Sequence, residues 1–141
     1  MSSTSAKPRR LVLDTFALIS HLEAGIGSSE VLQLLVEADR GALALHISLI
    51  SLGELAYIFE RRRGPEVAER VLSDVDQLPI EKESVDWQRI RAAASIKARY
   101  PISYADAFAA ALAHELGCSV VTGDPEFARL EPEVHVIWLG R

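Results

Sequence analysis

The sequence predicts an α/β fold in which helices cover a central parallel sheet of four or five strands. Short, strongly apolar runs such as Leu11–Leu13 and Val120–Val121 read as strands buried on both faces. Between them lie segments whose apolar residues recur at i, i+3, i+4 and i+7, the period of a half-buried helix. Helices between successive strands favour parallel pairing with right-handed crossovers. At 141 residues, 49% hydrophobic and 25% charged, the chain suits one folded domain and excludes collagen-like, low-complexity and disordered classes.

The elements follow in order. Met1–Pro8 carries Ser, Thr, Ala and Lys with little to bury and is expected to be a flexible N-terminal tail, leaving 9–141 as the domain. Arg10–Asp14 is a strand that ends in an acid, and Phe16–Leu22 starts a helix. Ser28 or Ser29 offers an N-cap for a helix bearing Val31, Leu34, Leu35 and Ala38, which stops at Gly41. Leu43–Ile47 is the next strand. Ser48 caps a helix through Leu52, Leu55, Ala56 and Phe59, and Pro65 opens another that carries Val67, Val71, Leu72 and Val75. Leu78-Pro79-Ile80 is an edge strand or a connection, because proline cannot donate to a ladder. Ser84 begins a helix that ends before Pro101, and Ser103 opens an alanine-rich helix closed by Gly117. Cys118–Thr122 is a strand, Glu126–Leu130 a helical turn and Val134–Trp138 the last strand.

Charge and cysteine content narrow the function. The net charge of −5 excludes a uniformly basic nucleic-acid binder. A lone Cys118 makes no internal disulfide and no cysteine-rich zinc site, which fits a cytoplasmic protein. Arg9-Arg10 is followed by only three apolar residues before Asp14, too few for an export signal, and no stretch suits a membrane helix.

In open parallel sheets, ligands bind beyond the carboxyl ends of the strands, where the strand order reverses. Asp14 closes one strand and Asp124 follows another. Asp106 lies in the first turn of the alanine-rich helix, and Glu54 about two turns into the helix after Leu43–Ile47. Each also has a structural reading. Asp14 suits an N-cap, Ser103–Asp106 a capping box, Glu54 a solvated helix position and Asp124-Pro125 a turn. In combination, the four carboxylates at one sheet edge suit Mg²⁺ or Mn²⁺, which take hard oxygen ligands and bridge to phosphate. A pair of such ions would activate water and neutralise the leaving oxygen in phosphodiester hydrolysis. His21, His46, His114 and His135 show no metal-ligand spacing, and Trp87 and Trp138 read as core residues. Arg61, Arg62 and Arg63 suit either phosphate contact or a solvated, dipole-complementing helix end.

Four segments in order, Leu13-Asp14-Thr15, Ser51-Leu-Gly-Glu54-Leu55, Ser103-Tyr-Ala-Asp106-Ala-Phe-Ala and Thr122-Gly-Asp124-Pro-Glu-Phe127, resemble the signatures of PIN-domain ribonucleases. The resemblance spans nearly the whole chain and is nearest to VapC toxins of type II toxin–antitoxin pairs. It implies a PIN-like three-layer α/β/α sandwich. It also implies a metal-dependent endoribonuclease whose Mg²⁺ or Mn²⁺ site is built from Asp14, Glu54, Asp106 and Asp124, with the Thr122 hydroxyl orienting the site. A homodimer and a small VapB-like antitoxin that blocks the cleft are implied as well. Two positions depart from the pattern. Phe16 stands where many relatives carry Asn or Ser, with the Thr15 hydroxyl as a substitute, and Gly123 stands where the signature is often larger or polar. The alternative from another class is a non-catalytic PIN-like module for RNA docking or assembly, its acids kept only as caps. A phosphatase or phosphoacceptor is a more distant reading, since the Asp14 segment lacks a second acid two residues on.

Overall fold

A computed structural model describes residues 7–141. Residues 1–6 of the expected tail lie outside the described residues, while Lys7 and Pro8 are exposed and precede the first strand. The elements are β1 (Arg9–Leu13), α1 (Thr15–Leu22), α2 (Ser28–Asp39), β2 (Leu43–Ser48), α3 (Leu49–Arg63), α4 (Pro65–Asp76), β3 (Ile80–Glu83), α5 (Trp87–Arg99), α6 (Tyr104–Leu116), β4 (Ser119–Thr122) and β5 (Val136–Trp138). A 3₁₀ turn, Pro125–Leu130, joins β4 to β5. All pairings are parallel and the strand order is β3-β2-β1-β4-β5. The chain runs outward from β1 to β3 on one side, then returns to add β4 on the other. The order therefore reverses between β1 and β4, which places a crevice at their carboxyl ends.

Alternation along the strands builds the layers. Leu11, Leu13, Leu45, Ile47 and Val121 face the side covered by α1 to α4, where Ala17, Leu18, Val31, Leu35, Leu55 and Phe59 meet them. Val12 and Val120 face α5 and α6, packing with Ala93, Ile96 and the buried run Ala107–Ala113. Small residues along α6 let that helix approach both the sheet and α5 closely. The expected three-layer α/β/α sandwich is the observed fold, with five strands.

Three local expectations change. The segment at Pro79 is an edge strand, but it starts at Ile80 and runs through Glu81, Lys82 and Glu83 to Ser48's partner position. Pro79 has no N–H to pair, and charged side chains suit an edge. Helix α5 begins at Trp87 rather than Ser84, because the Asp86 carboxylate accepts the Arg89 amide at 2.8 Å, while the Ser84 carbonyl accepts from the Arg89 guanidinium. Trp87 is consequently in the first turn and 70% exposed, not core. Neither Ser28 nor Ser29 caps α2. Gly27 holds that position at φ 81°, and a Cβ there would lie 2.6 Å from the Leu139 Cβ, so the close approach of the C-terminal segment requires glycine.

Candidate metal centre

Asp14, Asp106 and Asp124 are delivered to the crevice by caps, and Glu54 by the body of α3. Asp14 ends β1 and accepts the Ala17 amide at 2.9 Å through Oδ1, starting α1. Its Oδ2 accepts the hydroxyl of Thr122, a wholly buried residue at the end of β4. The same Thr122 oxygen accepts the Asp124 amide at 3.0 Å, and Asp124 Oδ1 accepts the Glu126 amide at 2.9 Å, starting the 3₁₀ turn. Ser103 caps α6 by accepting the Asp106 amide at 3.1 Å. The structural readings of Asp14 and Asp124 therefore hold for one oxygen each, without excluding a role in the crevice.

Asp14, Thr15, Glu54, Asp106 and Asp124 line one cleft of about 550 Å³, together with Phe16, Ile19, Ile58, Ser103, Pro125 and Glu126. Oxygens of Asp106, Asp124 and Glu126 approach within 4.8 Å of one another. Asp14 sits deeper, 3% exposed, and Glu54 is half-buried on α3. Thr15 donates to the Ser51 carbonyl at 3.2 Å, tying the start of α1 to the first turn of α3, the helix that carries Glu54. Its hydroxyl thus acts on the backbone rather than on an acid.

Glu126 is the acid that the sequence reading missed. The only signal was a second carboxylate two residues after Asp124, and a 3₁₀ turn was needed to bring it to the same side.

No lysine or arginine is among the described residues that line this cleft. Burial pushes the Asp14 carboxyl up to about 8, against the Thr122 and Ala17 hydrogen bonds, with Asp106 and Asp124 adding repulsion. Asp106 rises to about 7 through burial and the neighbouring Asp124, and Glu54 and Glu126 add to it despite a hydrogen bond with Ser103. This donor set, all carboxylate oxygens crowded without a counter-cation, fits a hard divalent ion.

Arg61, Arg62 and Arg63 are not on the cleft wall. Arg62 borders an adjoining hollow, and Arg62 and Arg63 lie 3.8 and 3.0 Å from Glu23, while Arg61 stacks over Tyr57 at 5.5 Å.

The sequence model of the PIN domain matches residues 11–132. No curated protein sequence matches the chain. Among solved structures, it is similar to DNA-bound VapBC from Salmonella typhimurium, with 26% identity and a TM-score of 0.72 over 92% of this chain and 97% of that one. It is also similar to VapBC2 from Rickettsia felis bound to a promoter DNA fragment, at 18% identity and a TM-score of 0.73 over 92% and 98% of the two chains. Mycobacterium tuberculosis VapC20, a toxin that cleaves the sarcin–ricin loop, superimposes with a TM-score of 0.67 at 19% identity, covering 84% of this chain and 92% of that one.

Proposed function

The chain belongs to the PIN-domain family, and on that premise we propose that it is a Mg²⁺- or Mn²⁺-dependent endoribonuclease, the toxin of a VapBC-type toxin–antitoxin pair. One observation carries the reading: four acids spread over 111 positions, from Asp14 to Asp124, line a single cleft that has no cation among its described lining residues. Asp14, Asp106, Asp124 and Glu54 would hold the ion or ions, and Glu126 is within reach of the same place. Bound there, a divalent ion supplies water activation and charge neutralisation at the scissile phosphate.

The chain's own groups do the rest. The Thr122 hydroxyl donates to Asp14 and receives the Asp124 amide, so one buried side chain sets the orientation of two acids at adjacent strand ends. Three of the acids sit at helix or 3₁₀ N-termini, where the free amides partly offset their charge before an ion arrives. Thr15 anchors the helix that presents Glu54. The half-buried Glu54 and Asp124 leave the mouth of the cleft polar and open to a phosphodiester backbone.

Purified protein is expected to cleave single-stranded RNA when Mg²⁺ or Mn²⁺ is supplied and to stop when EDTA is added. Asp14→Asn and Asp124→Asn should fold but not cleave; folded variants with full activity would falsify the assignment. RNA binding without metal-dependent turnover is the outcome that favours a docking module instead. The partner expectation is a homodimer neutralised by a VapB-like antitoxin in the cytoplasm, and the VapBC complexes among the similar structures support the antitoxin part of it. Light scattering at micromolar concentration should give the mass of two chains, and co-expression of an adjoining small reading frame should relieve growth arrest. No helix of the described residues is long and apolar enough to cross a membrane.

A further inference from the structure

Two residues that depart from the family signatures turn out to be one feature. Phe16 and Gly123 are 107 positions apart in the chain, yet a Cβ on Gly123 would lie 2.4 Å from Phe16 Cε1, 2.8 Å from Cζ and 3.1 Å from Cδ1. Any larger residue at 123 would evict the ring from its place. Glycine there therefore makes room for an aromatic group beside the acids, rather than merely loosening a loop.

The ring is partly buried, packed against the core, and is the one aromatic side chain among the described residues of the acid cleft. It also lines a second hollow of about 330 Å³ with Ile19, Ser20, Gly25, Ile26 and the pair Glu23 and Arg62, whose charged groups lie 3.8 Å apart. Phe16 and Ile19 belong to the lining of both depressions, so the hollow lies beside the place where a phosphate would meet the acids. A nucleotide attached to that phosphate carries its base close by, and a recess walled by the Phe16 ring, Ile19 and Ile26 offers a flat apolar surface of the kind a base stacks on.

We propose that Phe16 is a base-stacking platform: a base of single-stranded RNA next to the scissile phosphate lies against its ring in the Ile19–Ile26 hollow. The proposal rests on the nuclease reading and adds to it an unpaired, splayed base at the cut and the residue that receives it. Paired RNA would have to unstack before it fitted.

The test begins with a randomised pool of short single-stranded oligoribonucleotides, supplied with Mn²⁺, to map where the wild-type protein cuts. An oligoribonucleotide containing that site is then compared with versions lacking the base at each flanking position. Wild type should lose roughly tenfold in kcat/KM for one of the abasic versions, mostly through KM. Phe16→Leu should cut the intact and abasic substrates with nearly equal efficiency, Phe16→Trp should restore the preference, and Gly123→Ala, which displaces the ring, should abolish it as Phe16→Leu does. With Ca²⁺ in place of Mn²⁺, 2-aminopurine at the flanking position should be quenched on binding to wild type and not to Phe16→Leu. Equal losses by Phe16→Leu on intact and abasic substrates would assign the ring a packing role and overturn the proposal. So would a wild type that ignores the abasic change, the result expected if the hollow receives a peptide. If wild type cuts no member of the pool, the nuclease reading itself fails, and this inference with it.

Discussion

Two clusters in this protein bring three potential metal-ligating side chains within 4.8 Å of one another, and they differ in what surrounds the charge. One is Asp106, Asp124 and Glu126 in the cleft; the other is His46, Glu81 and Glu83 across β2 and β3. At the second, the buried His46 Nδ1 is 2.8 Å from Glu83, Arg89 donates to Glu83 at 3.1 Å, and Arg89 also makes bonds of 3.0 and 2.9 Å to Glu115. Burial pushes the Glu83 carboxyl up, but the hydrogen bonds and charges of His46 and Arg89 outweigh it, leaving it below the usual range. Arg89 is raised by its bond to Glu115 against the effect of burial. In that cluster the chain itself supplies the half-buried carboxylate, Glu83, with hydrogen-bonding partners. The cleft acids have no such partner among the described lining residues, and the carboxyls of Asp14 and Asp106 move the opposite way. Proximity of ligand atoms is common to both; uncompensated charge belongs only to the cleft.

The largest way to break the comparison is to remove a charge from each cluster. Asp106→Asn should reduce RNA cleavage by on the order of a hundredfold or more, whereas Glu83→Gln should leave it within about a factor of two to three of wild type. Comparable losses from both would mean that the clusters do not differ in kind. The metal-free Asp106→Asn protein should also melt no lower than wild type at pH 8, since the substitution removes a crowded carboxylate.

The pH dependence sharpens the contrast, because the two clusters contribute with opposite signs. Asp14 and Asp106 have folded-state values near 8 and 7, above the ordinary 3.8. The folded protein therefore binds more protons than the unfolded chain between these limits. Stability from these groups is present below about pH 4 and is lost as pH rises toward 7 to 8. Glu83, depressed below 4.5, contributes above that value and loses its contribution on acidification through its lowered folded value. Denaturant melts of metal-free protein should show a falling limb from pH 5 to 8 that Mn²⁺ reduces and the double variant Asp14→Asn/Asp106→Asn removes. An unchanged limb in that variant would assign it to other groups.

Glu83→Ala comes next, with an expected stability loss of about 1–3 kcal/mol by urea denaturation, because it strands the buried His46 ring and one side of Arg89. The Nε2 of that ring already lacks a partner among the described residues. Mn²⁺ affinity measured by calorimetry should not change. The smallest effect is expected for Thr122→Val, which keeps shape but removes the hydroxyl that holds Asp14; Mn²⁺ affinity should fall roughly tenfold. Unaltered affinity would show that the caps alone orient the acids.

Much of this was readable in residue order. The apolar runs of β1 and β4, the alanine-rich α6 and the caps at Ser48 and Ser103 depend on hydrophobic period and on hydrogen bonds within three residues, so they are local. Asp14, Glu54, Asp106 and Asp124 could be singled out because strand ends and first helical turns are local too.

Side-chain convergence was not local. That Arg89 bridges Glu83 to Glu115 and that Trp87 faces solvent follow from how α5 lies on the sheet. Glu126 joined the acids only once the 3₁₀ turn had formed, and Phe16 and Gly123 met only after the chain had added β4 beside β1. Period and capping chemistry along the chain determined which elements exist and which acids stand at their ends. The sheet order decided which of those ends share a cleft, because contact between residues a hundred positions apart is set by how buried faces pack and not by any spacing in the sequence.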